Sequence, residues 1–308
     1  MLRYTADLRT LAYIAFTVAL AVFQWHLGFS HFHPALYALS LLMAVTLAVV
    51  SHNHNHLGMW KWRPGNTLTS YVINMFYGHP AIGWVPTHNQ VHHKLNNKEG
   101  DSSRSPKFFR SNHLLALLVY PMLTGIEQTA DIKAFFKALW KKDRRAFWTG
   151  ISEYIVYAGM MGVLLVLDWK KTLVFLFIPQ QFALTMIQVF NYVQHVEADA
   201  YSPWNHSRNF VSPVLNALLF NNGYHTVHHQ KPGLHWSLTP KAHAEVTPNI
   251  HPALLVESWW GYMTSTYLLR PFIPGAKAPV LTEMKPSPKT PTMPSAPSPG
   301  AQHVQIAS

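Results

Sequence analysis

Residues 151–190 read ISEYIVYAGMMGVLLVLDWKKTLVFLFIPQQFALTMIQVF. Two apolar runs, Ile151–Leu167 and Thr172–Phe190, flank the short link Asp168–Lys171. A helix that crosses a bilayer needs roughly 20 mostly apolar residues, with a range of about 17–25. Both runs meet that length, and so short a link leaves room only for a reversal. The stretch reads as a helical hairpin through a membrane. The start of the chain repeats the pattern, with Leu11–Phe29 and Ala35–Val50 joined by Ser30–Pro34. Ala35–Val50 is short, but Ser51 and the residues after it can extend it. Ala19-Leu20-Ala21 resembles a signal-peptide cleavage site, yet the apolar run continues past it and a second one follows at once.

Composition agrees with this reading. The 308 residues are 49% hydrophobic and 12% charged, against about 25% charged in an ordinary soluble domain. Two hairpins place Ser51–Gly150 and Asn191–Ser308 on one side of the membrane. Lys and Arg number 22 on that side, the N-terminus included, and 2 on the other. Positive charge marks the cytoplasmic side, so the polar stretches and both termini are expected there. That distribution also accounts for the net charge of +11, and no helix-turn-helix, finger or RNA-binding signature points to nucleic acid. The expected fold is an all-α integral membrane protein: four transmembrane helices in two hairpins, under a cytoplasmic helical cap. Within that cap, Thr69–Pro86 reads as an interfacial or re-entrant piece, His113–Ile126 as an interfacial helix and Asp131–Trp148 as a basic amphipathic helix. Residues 1–272 form the membrane domain, and 273–308 a disordered Pro/Ser/Lys-rich tail.

The chain has no cysteine, which removes disulfides, thiolate metal sites and iron–sulfur clusters. It has 20 histidines, and many fall at helical spacing. In HNHNH, His52 and His56 are i and i+4 and share a helix face; in HNQVHH, His88 and His92 do, with His93 beside them. In HTVHH, His225, His228 and His229 are i, i+3 and i+4, again one face. Asn191 and His195 are i and i+4 at the end of the last apolar run. Imidazole is the commonest metal-binding side chain. Nine such histidines on one side of a membrane suit two metals of five- to six-fold coordination. The isolated histidines, at 26, 31, 33, 79, 113, 206, 243, 251 and 303, read as surface or interface residues, and so do His54 and His235.

With these motifs in place, Leu11 to Leu268 resembles the membrane fatty acid desaturase and hydroxylase superfamily, which carries three histidine boxes divided by two membrane hairpins. His52 and His56 match the first box. His88, His92 and His93 match the second, and His225, His228 and His229 the third. Asn191 and His195 look like that family's further elements, an asparagine holding a metal-bound water and an extra histidine ligand. The resemblance implies a non-haem centre of two iron ions, with O2 as co-substrate, that removes hydrogen from an unactivated C–H bond of a membrane lipid or acyl substrate. Asp101, Glu197 and Asp199, by closeness in sequence, are candidates to orient the ligating imidazoles. The chain carries no HPGG haem motif, no cysteine and no GxGxxG fingerprint, so electrons are expected from a separate donor, a ferredoxin or similar, with its reductase. Oligomeric state is left open.

Desaturation is the leading expectation. Hydroxylation, or another C–H oxidation of a lipid, alkane or carotenoid, is the alternative on the same scaffold, because both begin with hydrogen abstraction. A non-enzymatic metal-binding or transport protein is disfavoured: transporters place ionisable groups near the bilayer midplane, whereas these clusters sit at or beyond the helix ends. A zinc protease would need an HExxH that is absent.

Overall fold

The computed structural model describes residues 1–109 and 111–273, and it is mostly helical. The tail expected over 273–308 lies, save its first residue, outside the described residues. Among the described residues, three helical segments are long and apolar enough to cross a membrane: Asp7–Leu27, Pro34–His56 and Arg144–His195.

Helix α1 is Asp7–Leu27 and α2 is Pro34–His56. Gly28, at φ +63°, closes α1, a conformation that costs glycine little. Pro34 opens α2 at a position where its missing amide donor is not needed. The helix then runs six residues past the expected end at Val50, so HNHNH is its last turn. Residues Met43 to His52 of α2 are buried, because α1, α3 (Arg63–Tyr77) and α7 (Ile178–His195) all pack on it.

The 52-residue segment Arg144–His195 does not run straight. Asp168 leaves helical geometry (φ −161°, ψ 93°), and its Oδ1 accepts from the Lys171 amide at 3.0 Å, as an N-cap does. Tyr157 Oη donates to Gln180 Oε1 at 3.0 Å. An unbroken helix would hold residues 23 apart about 35 Å from each other, so the chain reverses between them. This turn meets the first one: Phe29 and Phe32 pack on Phe175, and Tyr37 Oη donates to Val174 O at 3.1 Å. Both turns therefore lie at one end of the bundle. α2 and α7 run from it and deliver His52, His56 and His195 to the other end.

Two boundaries differ from expectation. After α3, the chain turns at Gly78 (φ +89°) and enters a π-helix, Val85–His92, which runs on as the short α4, His93–Leu95. Beyond it, the two expected helices His113–Ile126 and Asp131–Trp148 are replaced by one, α5, Leu114–Lys142, followed by α6, Arg144–Thr172. Pro121 sits inside α5 without ending it. The break falls instead at Asp143, whose Oδ1 caps the Ala146 amide at 2.9 Å. Leu115, Leu118, Met122 and Ile126 form an exposed stripe at spacings of three and four along α5. Past α7 come a two-residue parallel pair, Asn209–Phe210 with Leu255–Val256, which the all-α expectation lacks, then the short helices α8 (Pro213–Leu218) and α9 (His225–Gln230).

Candidate metal centre

Nine histidines converge at the far end of the bundle in two groups. His52, His56, His88, His93 and His228 form one, and His92, His195, His225 and His229 the other; within each, candidate ligand atoms lie within 4.8 Å of one another. Both adjacent pairs are divided between the groups: His92 from His93, and His228 from His229. Neighbouring residues on a helix point about 100° apart, so one HH pair between two centres serves both. Sharing a helix face is not sharing a group: the His88 and His92 rings stack at 5.2 Å and those of His225 and His228 lie 5.4 Å apart, yet each pair is divided between the groups. The π-helix explains the first. Residues five apart diverge by about 140° on an α-helix, but the wider i to i+5 turn stacks them. His88 and His93 thus meet, Nε2 to Nε2, at 3.0 Å, while His92 turns its Nε2 toward that of His195 at 3.1 Å. On α9, His225 and His229 face the four-histidine group and His228 the other, because the helix lies between them.

The approaches are too many for hydrogen bonding alone. His228 Nε2 lies 3.0 Å from that of His52, 3.3 Å from that of His88 and 2.9 Å from that of His93. An imidazole nitrogen either donates one proton or accepts at one lone pair, so at most two of the five approaches among these four Nε2 atoms can be hydrogen bonds. In the second group, His195 Nε2 is 3.1 Å from His92 Nε2 and 3.0 Å from His225 Nε2. Two nitrogens at right angles on one ion, each about 2.1 Å from it, would stand about 3.0 Å apart. The donor set therefore fits two metal ions. Burial first, and neighbouring imidazoles second, hold His88, His93, His225, His228 and His229 well below the ordinary histidine pKa. They are neutral near pH 7 and present lone pairs.

A cavity of about 270 Å³ opens onto both groups, with His52, His88 and His225 in its wall beside Trp84, Phe190 and Asn191. A protein-family model described as Fatty acid desaturase matches residues 25–261. The chain belongs to the fatty acid desaturase family. No curated protein and no solved structure matches it. Membership points to a membrane oxidoreductase of a family that typically depends on iron.

Within this desaturase-family site, side chains and carbonyls orient the imidazoles. His92 Nδ1 lies 2.8 Å from Asp101 Oδ2, and the Asn97 and Ser103 amides donate to the same carboxylate, each at 2.8 Å. Burial opposes the Asp101 charge, but His92 and the two amides outweigh it and bring its pKa down to about 2. Asn96 and Asn97, both at positive φ, turn the chain back so that Asp101 reaches His92. His195 Nδ1 donates to His206 O at 3.2 Å, which leaves its Nε2 lone pair facing the group. Glu197 instead pairs with Arg208 at 3.6 Å and Arg270 at 3.3 Å. Asp199 accepts from the Tyr201 amide at 3.0 Å. Neither shows a hydrogen bond to a cluster histidine. Asn191 stands in the cavity wall, its amide donating to Tyr120 Oη at 2.7 Å, and its carbonyl oxygen remains the atom that can take a water.

Several contributors carried no sequence signal. Glu153 of α6 accepts from the Ile82 amide at 2.9 Å and from Asn74 Nδ2 at 3.1 Å, which pins the turn before the π-helix. His206 and His243, expected at the surface or an interface, are buried, and so are His54 and His235. Their spacing does not differ from that of an exposed residue. Gly223, two residues before His225, admits no side chain, because a Cβ there would sit 2.1 Å from Phe210 O. Gly223→Ala should cost at least about 1–3 kcal/mol of stability and lower metal content with it. Thermal unfolding and metal analysis of the purified protein would check both.

Proposed function

We propose that the chain is an O2-dependent fatty acyl desaturase. His52, His56, His88, His93 and His228 hold one iron, and His92, His195, His225 and His229 hold a second, with Asn191 placing a water. The observation that carries this reading is the convergence of nine mostly buried imidazoles in two groups that divide both HH pairs, beside a cavity that touches each group. Bound iron would supply the reduction of O2 and the oxidising power to take hydrogen from an unactivated C–H bond. The chain's own part is positional. Asp101 and the His206 carbonyl fix two ligand rings, while Trp84 and Phe190 wall the cavity against water.

The reading also carries a topology. The segment Arg144–His195, reversing at Asp168, crosses the bilayer twice; with α1 and α2 this makes four spans in two hairpins. The charge distribution supports a cytoplasmic histidine end and cytoplasmic termini, with electrons delivered there by a separate donor such as a ferredoxin.

The lipids of cells expressing the protein, compared by gas chromatography–mass spectrometry with cells expressing His228→Ala, test the function. A new chain lighter by two hydrogens, absent from the variant, is expected. A chain heavier by one oxygen would make the enzyme a hydroxylase.

A further inference from the structure

A second cavity, of about 30 Å³, lies against the five-histidine group, with His56 and His228 in its wall. Neither residue lines the main cavity. Asp7, Asn53, His235 and Trp236 also line the small one. Asp7 and His235 are 3% and 4% exposed, a burial that ionisable groups seldom reach without a reason. Asp7 Oδ1 is well satisfied, accepting from Thr10 Oγ1 at 3.0 Å and Trp236 Nε1 at 3.2 Å. Asp7 Oδ2 stands 3.2 Å from His235 Nε2, but the two are not aligned as a hydrogen bond, and both atoms are buried without a partner. Asn53 Nδ2 is likewise buried and unpartnered, while Asn53 Oδ1 faces His52 Nδ1 at 3.2 Å.

Three orphaned polar atoms thus belong to residues around one small space. Buried polar atoms of this kind are normally satisfied by ordered water, and a polar cavity above about 10–15 Å³ can hold one. The pair is also close to solvent. Tyr4, 37% exposed, stacks on the His235 ring at 4.0 Å.

We propose that this cavity holds ordered water and that Asp7 and His235 form a proton relay from solvent to the five-histidine group. The inference rests on the desaturase reading above. Desaturation converts one CH2–CH2 unit, one O2, two electrons and two protons into one CH=CH unit and two waters. Two of the hydrogens in those waters come from the substrate, the donor protein supplies the electrons, and solvent must supply the two protons. An apolar chain in the main cavity closes that side to water. The small cavity meets the same histidine group through His56 and His228, so protons can enter while substrate is bound. His235 takes a proton at Nδ1 through Ser237 Oγ, 2.8 Å away, and releases the one on Nε2 to the cavity water, while Asp7 steadies the charged ring.

The test uses the full-length, iron-loaded protein in lipid nanodiscs, with D7N, D7E and H235Q beside wild type. D7N and H235Q are expected to keep wild-type iron content and substrate KM while turnover falls by on the order of a hundredfold. The D2O isotope effect on kcat should rise in both, and D7E should recover part of the rate. A high-resolution structure of the wild type should show water within hydrogen-bond distance of Asp7 Oδ2 and His235 Nε2. D7N and H235Q that turn over normally with an unchanged isotope effect, or a cavity empty of water, would overturn the relay while leaving the desaturase reading intact. Wild-type protein that binds no iron would overturn that reading and the relay with it.

Discussion

Cells expressing His228→Ala will make no detectable product, and the purified protein will hold at most about half the iron of wild type. His228 stands at the centre of the five-histidine group together with His88, its Nε2 within 3.3 Å of three other Nε2 atoms. Alanine deletes that donor and leaves a gap where the ring packs against His52, His88 and His93. Removing a group that merely orients a ligand typically costs about 10–100-fold in metal affinity or activity, so loss of a direct donor should exceed that range. Iron per chain by mass spectrometry and lipid profiling measure the two effects separately. His31→Ala is the matching control. His31 is exposed at the opposite end of the bundle, beside the turn between α1 and α2, and both values should stay at wild type. Near-normal product from His228→Ala at equal abundance would remove the metal assignment.

Asp101→Ala should have the next largest effect, on iron and on stability together. The carboxylate is fully buried and takes three bonds, from His92 Nδ1 and the Asn97 and Ser103 amides. Alanine frees the His92 ring to rotate, and iron affinity should fall about 10–100-fold. It also strands three buried donors at about 1–3 kcal/mol each, so the apo protein should lose several kcal/mol as well. Iron titration and thermal unfolding of the metal-free protein read the two parts. Glu197→Gln separates them. It leaves Arg208, itself buried, without its carboxylate, and should lower stability with iron affinity unchanged. Equal iron loss in both variants would show that general destabilisation, and not the His92 contact, sets metal binding.

How much of the site could be read in advance depended on how local each signal was. HNHNH and NYVQH end helices whose apolar runs are plain in the sequence, and His52, His56 and His195 stand where those helices stop. HNQVHH and HTVHH announce metal chemistry by composition, but not which histidine joins which group. The first winds as a π-helix, where the α-helical period fails, and the second is a six-residue helix lying between the two groups. Asp101 was within reach because it lies nine residues from His92 on a chain that turns back. Glu197 is only two residues from His195, yet its φ of +65° and two arginines from later segments direct it elsewhere.

From sequence alone came the apolar segments, the uneven spread of positive charge between the stretches that flank them, and the identity of the nine histidines. Those are properties of hydropathy and residue type, carried by neighbours along the chain. Only the tertiary structure decided which histidine joins which group, that Asp7 meets His235 across 228 positions, and that Glu153 holds the turn before the π-helix. These contacts join residues from separate helices and loops, and their partners are set by how α2, α6 and α7 pack and where Asp168 and Gly78 reverse the chain.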